Sequence, residues 1–145
     1  MISVYSVHEL KFFYLQIDEI TLHVTLSDFG LSKVMTETAQ IGTRTMLAGT
    51  PGFQPPEQLQ AQSIGIHCDV YAVGAVVLVL FTERPLWPSL TPFQIMHKVT
   101  IENEKPDTTS LPPNLVSVCS KCFEEMNSRP LISVILKELI NIVKD

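Results

Sequence analysis

The sequence predicts a mainly α-helical domain of the α+β kind, with a few short strands confined to its N-terminal part. Three observations carry this expectation. Ile20, Leu22, Val24 and Leu26 alternate with Thr21, His23 and Thr25, the period of a half-buried strand. Val70 to Phe81 is an unbroken apolar run of the length of a buried core helix. Beyond residue 55, Pro56 and Pro92 stand at the head of helix-like segments, where a missing N–H costs nothing.

Taken in order, Ile2–Tyr5 is short and β-prone, and the alternating strand of residues 20–26 runs directly into Asp28-Phe29-Gly30. Leu31 to Thr50 has no period and reads as a loop. Pro51, Gly52, Pro55 and Pro56 then mark a rigid, non-helical segment. Pro56-Glu57-Gln58-Leu59 places an acid beside a first-turn proline. Asp69 is positioned to cap a helix from Val70 to about Thr82. Thr91 caps a helix from Pro92 to about Val99, and Leu115–Glu125 reads as the next. After Arg129-Pro130 the chain ends in an amphipathic helix with Leu131, Val134, Ile135, Leu139 and Ile140 as its stripe.

The 145 residues are 46% apolar and only 17% charged, with a net charge of −5. The length is that of one domain. The acidic balance, and the lack of any Lys/Arg cluster interleaved with aromatics, argue against nucleic acid or an anionic membrane as partner. The longest apolar run falls short of the roughly 20 residues a bilayer requires. The first residues lack a signal peptide's basic and apolar regions. With an odd number of cysteines (Cys68, Cys119 and Cys122), this favours a reducing, cytoplasmic setting. Cys119 and Cys122 share one helix face, and a core role suits them better than a metal or redox pair, since no further ligands stand at matching spacing. The mean hydropathy of +0.24 reflects either a helix-rich core or surface that other chain covers.

The motifs follow one another in a telling order. Asp28-Phe29-Gly30 closes a strand. Gly49-Thr50-Pro51-Gly52-Phe53-Gln54-Pro55-Pro56-Glu57 comes next, Asp69-Val70-Tyr71 opens the apolar helix, and Ser128-Arg129-Pro130 precedes the last one. In this the chain resembles the C-terminal lobe of a eukaryotic protein kinase domain of the Ser/Thr or tyrosine-kinase-like branch. The resemblance implies ATP and Mg²⁺ as cofactors and a protein as substrate or partner. Asp28 would hold Mg²⁺ on the ATP phosphates, Phe29 would pack beneath the N-lobe, and Gly30 would let the segment flip. The loop at Gly49–Gly52 would receive the residue beside the phosphoacceptor. Thr50, which helps orient the catalytic base in the family, favours Ser/Thr specificity. Glu57 would pair with Arg129, and Asp69 would bond the catalytic-loop backbone besides capping its helix. Thr43 and Thr45 are candidate phosphoacceptors. The implied domain covers 1–145, with a catalytic-loop remnant at 7–14, an activation segment at 28–57 and a helical subdomain at 58–145.

The family pattern is broken in its catalytic loop. Val7-His8-Glu9-Leu10-Lys11-Phe12-Phe13-Tyr14 stands in that place, and Leu10-Lys11 fits. Glu9 occupies the position of the catalytic aspartate, Tyr14 that of the Mg²⁺-binding asparagine, and His8 that of the arginine that neutralises an activation-loop phosphate. The sequence as written also holds no Gly-rich phosphate loop or strand lysine. The expectation is therefore a truncated kinase lobe, inactive alone. A pseudokinase-like scaffold that binds proteins without phosphoryl transfer is the alternative. Phe12, Phe13, Tyr14 and Leu15 would form uncovered apolar surface prone to self-association.

Overall fold

The computed structural model describes residues 16–17, 24–25, 50–62 and 65–144. Two short strands, β1 (Gln16–Ile17) and β2 (Val24–Thr25), pair antiparallel, with Gln16 opposite Thr25 and Ile17 opposite Val24. β2 falls inside the strand expected from alternation; Ile2–Tyr5 lies outside the described residues. A 3-10 turn at Pro51–Phe53 follows. Five α-helices, with a second 3-10 turn (Met126–Ser128) between the last two, complete the order: α1 (Pro56–Leu59), α2 (Ile66–Thr82), α3 (Pro92–Thr100), α4 (Pro113–Cys122) and α5 (Ile132–Lys144). The segment read as rigid and non-helical thus contains a single 3-10 turn, placed by Pro51 at its first position.

α2 is the central element. It begins at Ile66 with Gly65 in the N-cap position, so Asp69 lies in its first turn and is not its cap. The helix starts four residues earlier than expected, and the His67 carbonyl in its first turn also accepts from Arg129. Asp69 still places a carboxylate near the positive end of the helix. Its side chain is exposed, yet neighbouring protein desolvates the carboxyl enough to raise its pKa. At the other end Glu83 adopts a left-handed conformation (φ 53°) and its N–H bonds the Val79 carbonyl at 2.9 Å, which stops the helix.

α4 packs along α2 at close range. A Cβ on Gly74 would lie 2.5 Å from the Cys122 Cβ and 3.3 Å from the Phe123 ring, so only glycine permits this approach. Tyr71, Ala75 and Leu78 from α2 meet Leu111, Cys119 and Phe123 in one cluster, where the Tyr71 and Phe123 rings stand edge-to-face at 5.0 Å. Val70, Val118, Cys122 and Ile135 form a second cluster that takes in α5. Burying an Ile135-sized side chain contributes about 1.5–3 kcal/mol. Cys119 and Cys122 are free thiols inside these clusters. Burial pushes their pKa values up to about 11 and about 12.

α3 begins as expected. Thr91 Oγ1 accepts from the Gln94 N–H, and the Gln94 side chain accepts from the Thr91 N–H, a reciprocal capping box. α4 starts two residues before the expected Leu115, because Pro113 occupies the first helical position, and it ends at Cys122, short of Glu125.

The stripe expected for α5 is corrected. Ile135 is buried, with Leu139 and Ile142 packed beside it. Leu131, Val134 and Ile140 are exposed. Residues 131–143 are apolar at most positions, so several stripes fit the sequence equally well. Packing on Val118 and Cys122 selects one of them, and the Lys121–Glu138 ion pair at 2.8 Å fixes the rotation. Among the described residues no helix is long and apolar enough to cross a membrane.

Candidate functional site

The site is built from the segment Thr50–Leu59 and the side chain that anchors it. Thr50 is extended (φ −94°, ψ 111°) and its side chain makes no capping bond. Its carbonyl accepts the Phe53 N–H at 3.0 Å, and the Pro51 carbonyl accepts that of Gln54 at 3.2 Å. Pro55 holds the chain extended (φ −72°, ψ 160°), and Pro56 starts α1 at the next residue. The run of prolines therefore delivers Glu57 inward at the head of a four-residue helix.

Glu57 meets Arg129 across 72 positions of sequence. Arg129 Nη1 donates to Glu57 Oε1 at 2.5 Å and Nη2 to Oε2 at 2.9 Å, a two-pronged pair whose planar geometry only arginine supplies. Two further donors are also used. Nε bonds the Glu124 carbonyl at 2.8 Å and Nη1 the His67 carbonyl at 3.1 Å. The guanidinium carbon lies 5.2 Å from the centre of the Tyr71 ring, within cation–π range. Burial raises the Tyr71 phenol well above its usual range, so it stays protonated. The Cys68 thiol approaches Glu57 Oε1 at 3.9 Å, and burial raises its pKa also. One arginine thus ties the head of α1, the first turn of α2 and the approach to α5 into a single block.

The loop between α2 and α3 closes the block from below. Trp87 packs with Leu59 and Val99, and its ring edge lies under Gly52, where an added Cβ would be 3.1 Å from Cδ1.

Of the residues singled out from sequence, Thr50, Glu57, Asp69 and Arg129 are described. Glu57 and Arg129 are in contact, Thr50 heads the segment they hold, and Asp69 stands exposed on α2. Glu9, Lys11, Asp28, Phe29, Gly30, Thr43, Thr45 and the apolar stretch Phe12–Leu15 lie outside the described residues. Among the described residues no three His, Cys, Asp or Glu side chains converge as a metal site. For an Mg²⁺–ATP complex the donor chemistry is split. By residue type alone, the Asp28 carboxylate would suit a hard cation, whereas a tyrosine such as Tyr14 would offer no amide oxygen. Sequence reasoning missed Trp87. It stands between Pro85 and Pro88 with no periodicity to assign it to the core.

Comparison with known proteins bears on this arrangement. A family model described as protein kinase domain matches residues 10–139. A probable serine/threonine-protein kinase of Dictyostelium discoideum, drkB, is 31% identical over 92% of this chain and 19% of its own length. The probable serine/threonine-protein kinase SIS8 of Arabidopsis thaliana is 29% identical over 83% of this chain and 12% of its own length. A putative leucine-rich repeat receptor-like serine/threonine-protein kinase, also of Arabidopsis thaliana, is 29% identical over 81% of this chain and 14% of its own length. The chain thus spans less than a fifth of each of these relatives.

Proposed function

Because the chain belongs to the protein kinase domain family, we propose that it forms the polypeptide-docking part of a serine/threonine protein kinase domain whose own catalytic loop is too altered for efficient phosphoryl transfer. The observation that carries the docking half is the pinned segment Thr50–Glu57, held by Arg129 at both carboxylate oxygens. A surface that receives an extended polypeptide loses less binding energy to ordering when most of it is held in place beforehand. The serine/threonine assignment draws on Thr50 and on the similarity to serine/threonine-protein kinases. The activation segment then spans 28–57 and the helical subdomain 58–145, on the cytoplasmic side of any membrane the whole protein meets.

In the transfer itself, a substrate hydroxyl oxygen attacks the γ-phosphorus of ATP, the bond to ADP breaks, and the proton passes to a carboxylate. Glu9 stands in that carboxylate's place with one methylene too many. Displacement of a catalytic group by about 1 Å costs on the order of 10²-fold. Asp28 would hold Mg²⁺ where it binds, and Tyr14 supplies no second ligand. Transfer from radiolabelled ATP to generic Ser/Thr substrates is therefore expected to stay at background. Turnover that Asp28→Ala abolishes would overturn the inactive half of the reading. A second reading, a scaffold that binds proteins and never transfers phosphate, is favoured by the joint loss at Glu9 and Tyr14. Failure of Mg²⁺–ATP to shift the thermal midpoint would select it.

A further inference from the structure

Trp87 is the chain's single tryptophan and is only 8% exposed. Leu86, Leu90, Ile95 and Met96 surround the cluster it forms with Leu59 and Val99, so its ring joins α1 and α3 beneath the 3-10 turn. The Nε1 edge faces the turn: a Cβ built on Gly52 would lie 3.6 Å from Nε1. That nitrogen is fully shielded from solvent and has no hydrogen-bond partner among the described residues. Buried indole N–H groups usually find an acceptor, and one left unpaired bears its full desolvation penalty. The neighbouring main chain offers acceptors. The carbonyls of Thr50 and Pro51 each use one lone pair within the turn, and a carbonyl has two. Gly52, with no side chain, lets the backbone move against the ring edge.

We propose that Trp87 is a positioning residue for this turn: its ring is the floor on which Pro51–Phe53 rests, and its unpaired N–H is taken up by a main-chain carbonyl of the turn when a polypeptide docks. The free chain holds the donor unsatisfied. The docked chain satisfies it, so part of the binding energy comes from beneath the turn and not from contact with the ligand. This rests on the reading that the turn receives polypeptide.

A single tryptophan gives a single indole N–H signal in a ¹⁵N-edited spectrum. The probe is a degenerate nonapeptide library centred on serine or threonine, titrated into the ¹⁵N-labelled chain. The indole proton is expected to move downfield and its exchange with solvent to slow about tenfold, as a new hydrogen bond dictates. Trp87→Phe keeps the ring and removes the donor, and is expected to weaken library binding about fivefold to tenfold. Shifts at the Gly52, Phe53 and Gln54 amides with a stationary indole signal would overturn the positioning role while leaving docking intact. So would a Trp87→Phe chain that binds as tightly as the parent. If no peptide moves any of these amides, the docking reading falls and the positioning role falls with it.

Discussion

Arg129→Ala tests the block that holds the site. The Arg129 and Glu57 side chains are only 1% and 7% exposed, so truncation strands a carboxylate away from water. Breaking a buried pair from one side costs about 3–5 kcal/mol. The Glu124 and His67 carbonyls lose their donors as well, but both can reach water once the side chain is gone, which keeps the total near the upper end of that range. Domains of this size are stable by about 5–15 kcal/mol, so the variant is left marginal. At a urea slope of about 1.5 kcal/mol/M the midpoint falls by roughly 2–3 M. Replacing both partners, as Glu57→Leu with Arg129→Met, removes the stranded charge and is expected to be more stable than Arg129→Ala alone. Urea unfolding followed by circular dichroism measures the parent, Arg129→Ala, the single variants Glu57→Leu and Arg129→Met, and the double. A loss below about 1 kcal/mol for Arg129→Ala, or effects at 57 and 129 that simply add, would refute the claim that the pair acts as one buried unit.

Gly74→Ala drives a Cβ to 2.5 Å from the Cys122 Cβ and is expected to cost about 1–3 kcal/mol by overpacking. Cys122→Ala should not rescue it, since the clashing atom is retained; calorimetry of the single and double variants decides. The buried thiols set an alkaline limit. Cys119 and Cys122 are raised from 9.0 to about 11 and about 12 in the folded chain. Their contribution to stability is complete below pH 9 and is lost as pH rises from there through 11 to 12. A thiol reagent at pH 8 should label both only as fast as the chain opens. Rapid stoichiometric labelling of folded protein would contradict their placement in the core.

What the sequence disclosed depended on how far the deciding interaction reached along the chain. The α3 start was legible because its capping box lies within four residues, Thr91 to Gln94. The α2 start was not, because Gly65 stands at its N-cap with no side-chain bond to mark it, while Asp69 gives a cap-like signal from inside the first turn. In α5 the stripe misled, since apolar residues surround most of the helix and only Val118, Cys122 and the Lys121–Glu138 pair choose the inward face. No spacing rule links Glu57 to Arg129; the pairing was expected only from the family resemblance. Trp87 carried no signal at all, lying in a loop where neither period applies.

The same long-range pins explain why α2 dominates the arrangement. Arg129 bonds the carbonyl of His67 and stacks over Tyr71 one turn later. Gly74, a turn further on, admits α4, and Leu78 closes the cluster with Phe123. Successive turns of one helix therefore carry the segment Thr50–Glu57, the arginine that locks it and the helices that support the arginine. A helix apolar on nearly all sides suits this task, because each face takes a different neighbour. The face bearing Leu80 and Phe81 remains exposed and contributes nothing to the block. Strain introduced at Gly74 should consequently reach Glu57 through Tyr71 and Arg129, while substitutions at Leu80 should leave the segment Thr50–Glu57 in place.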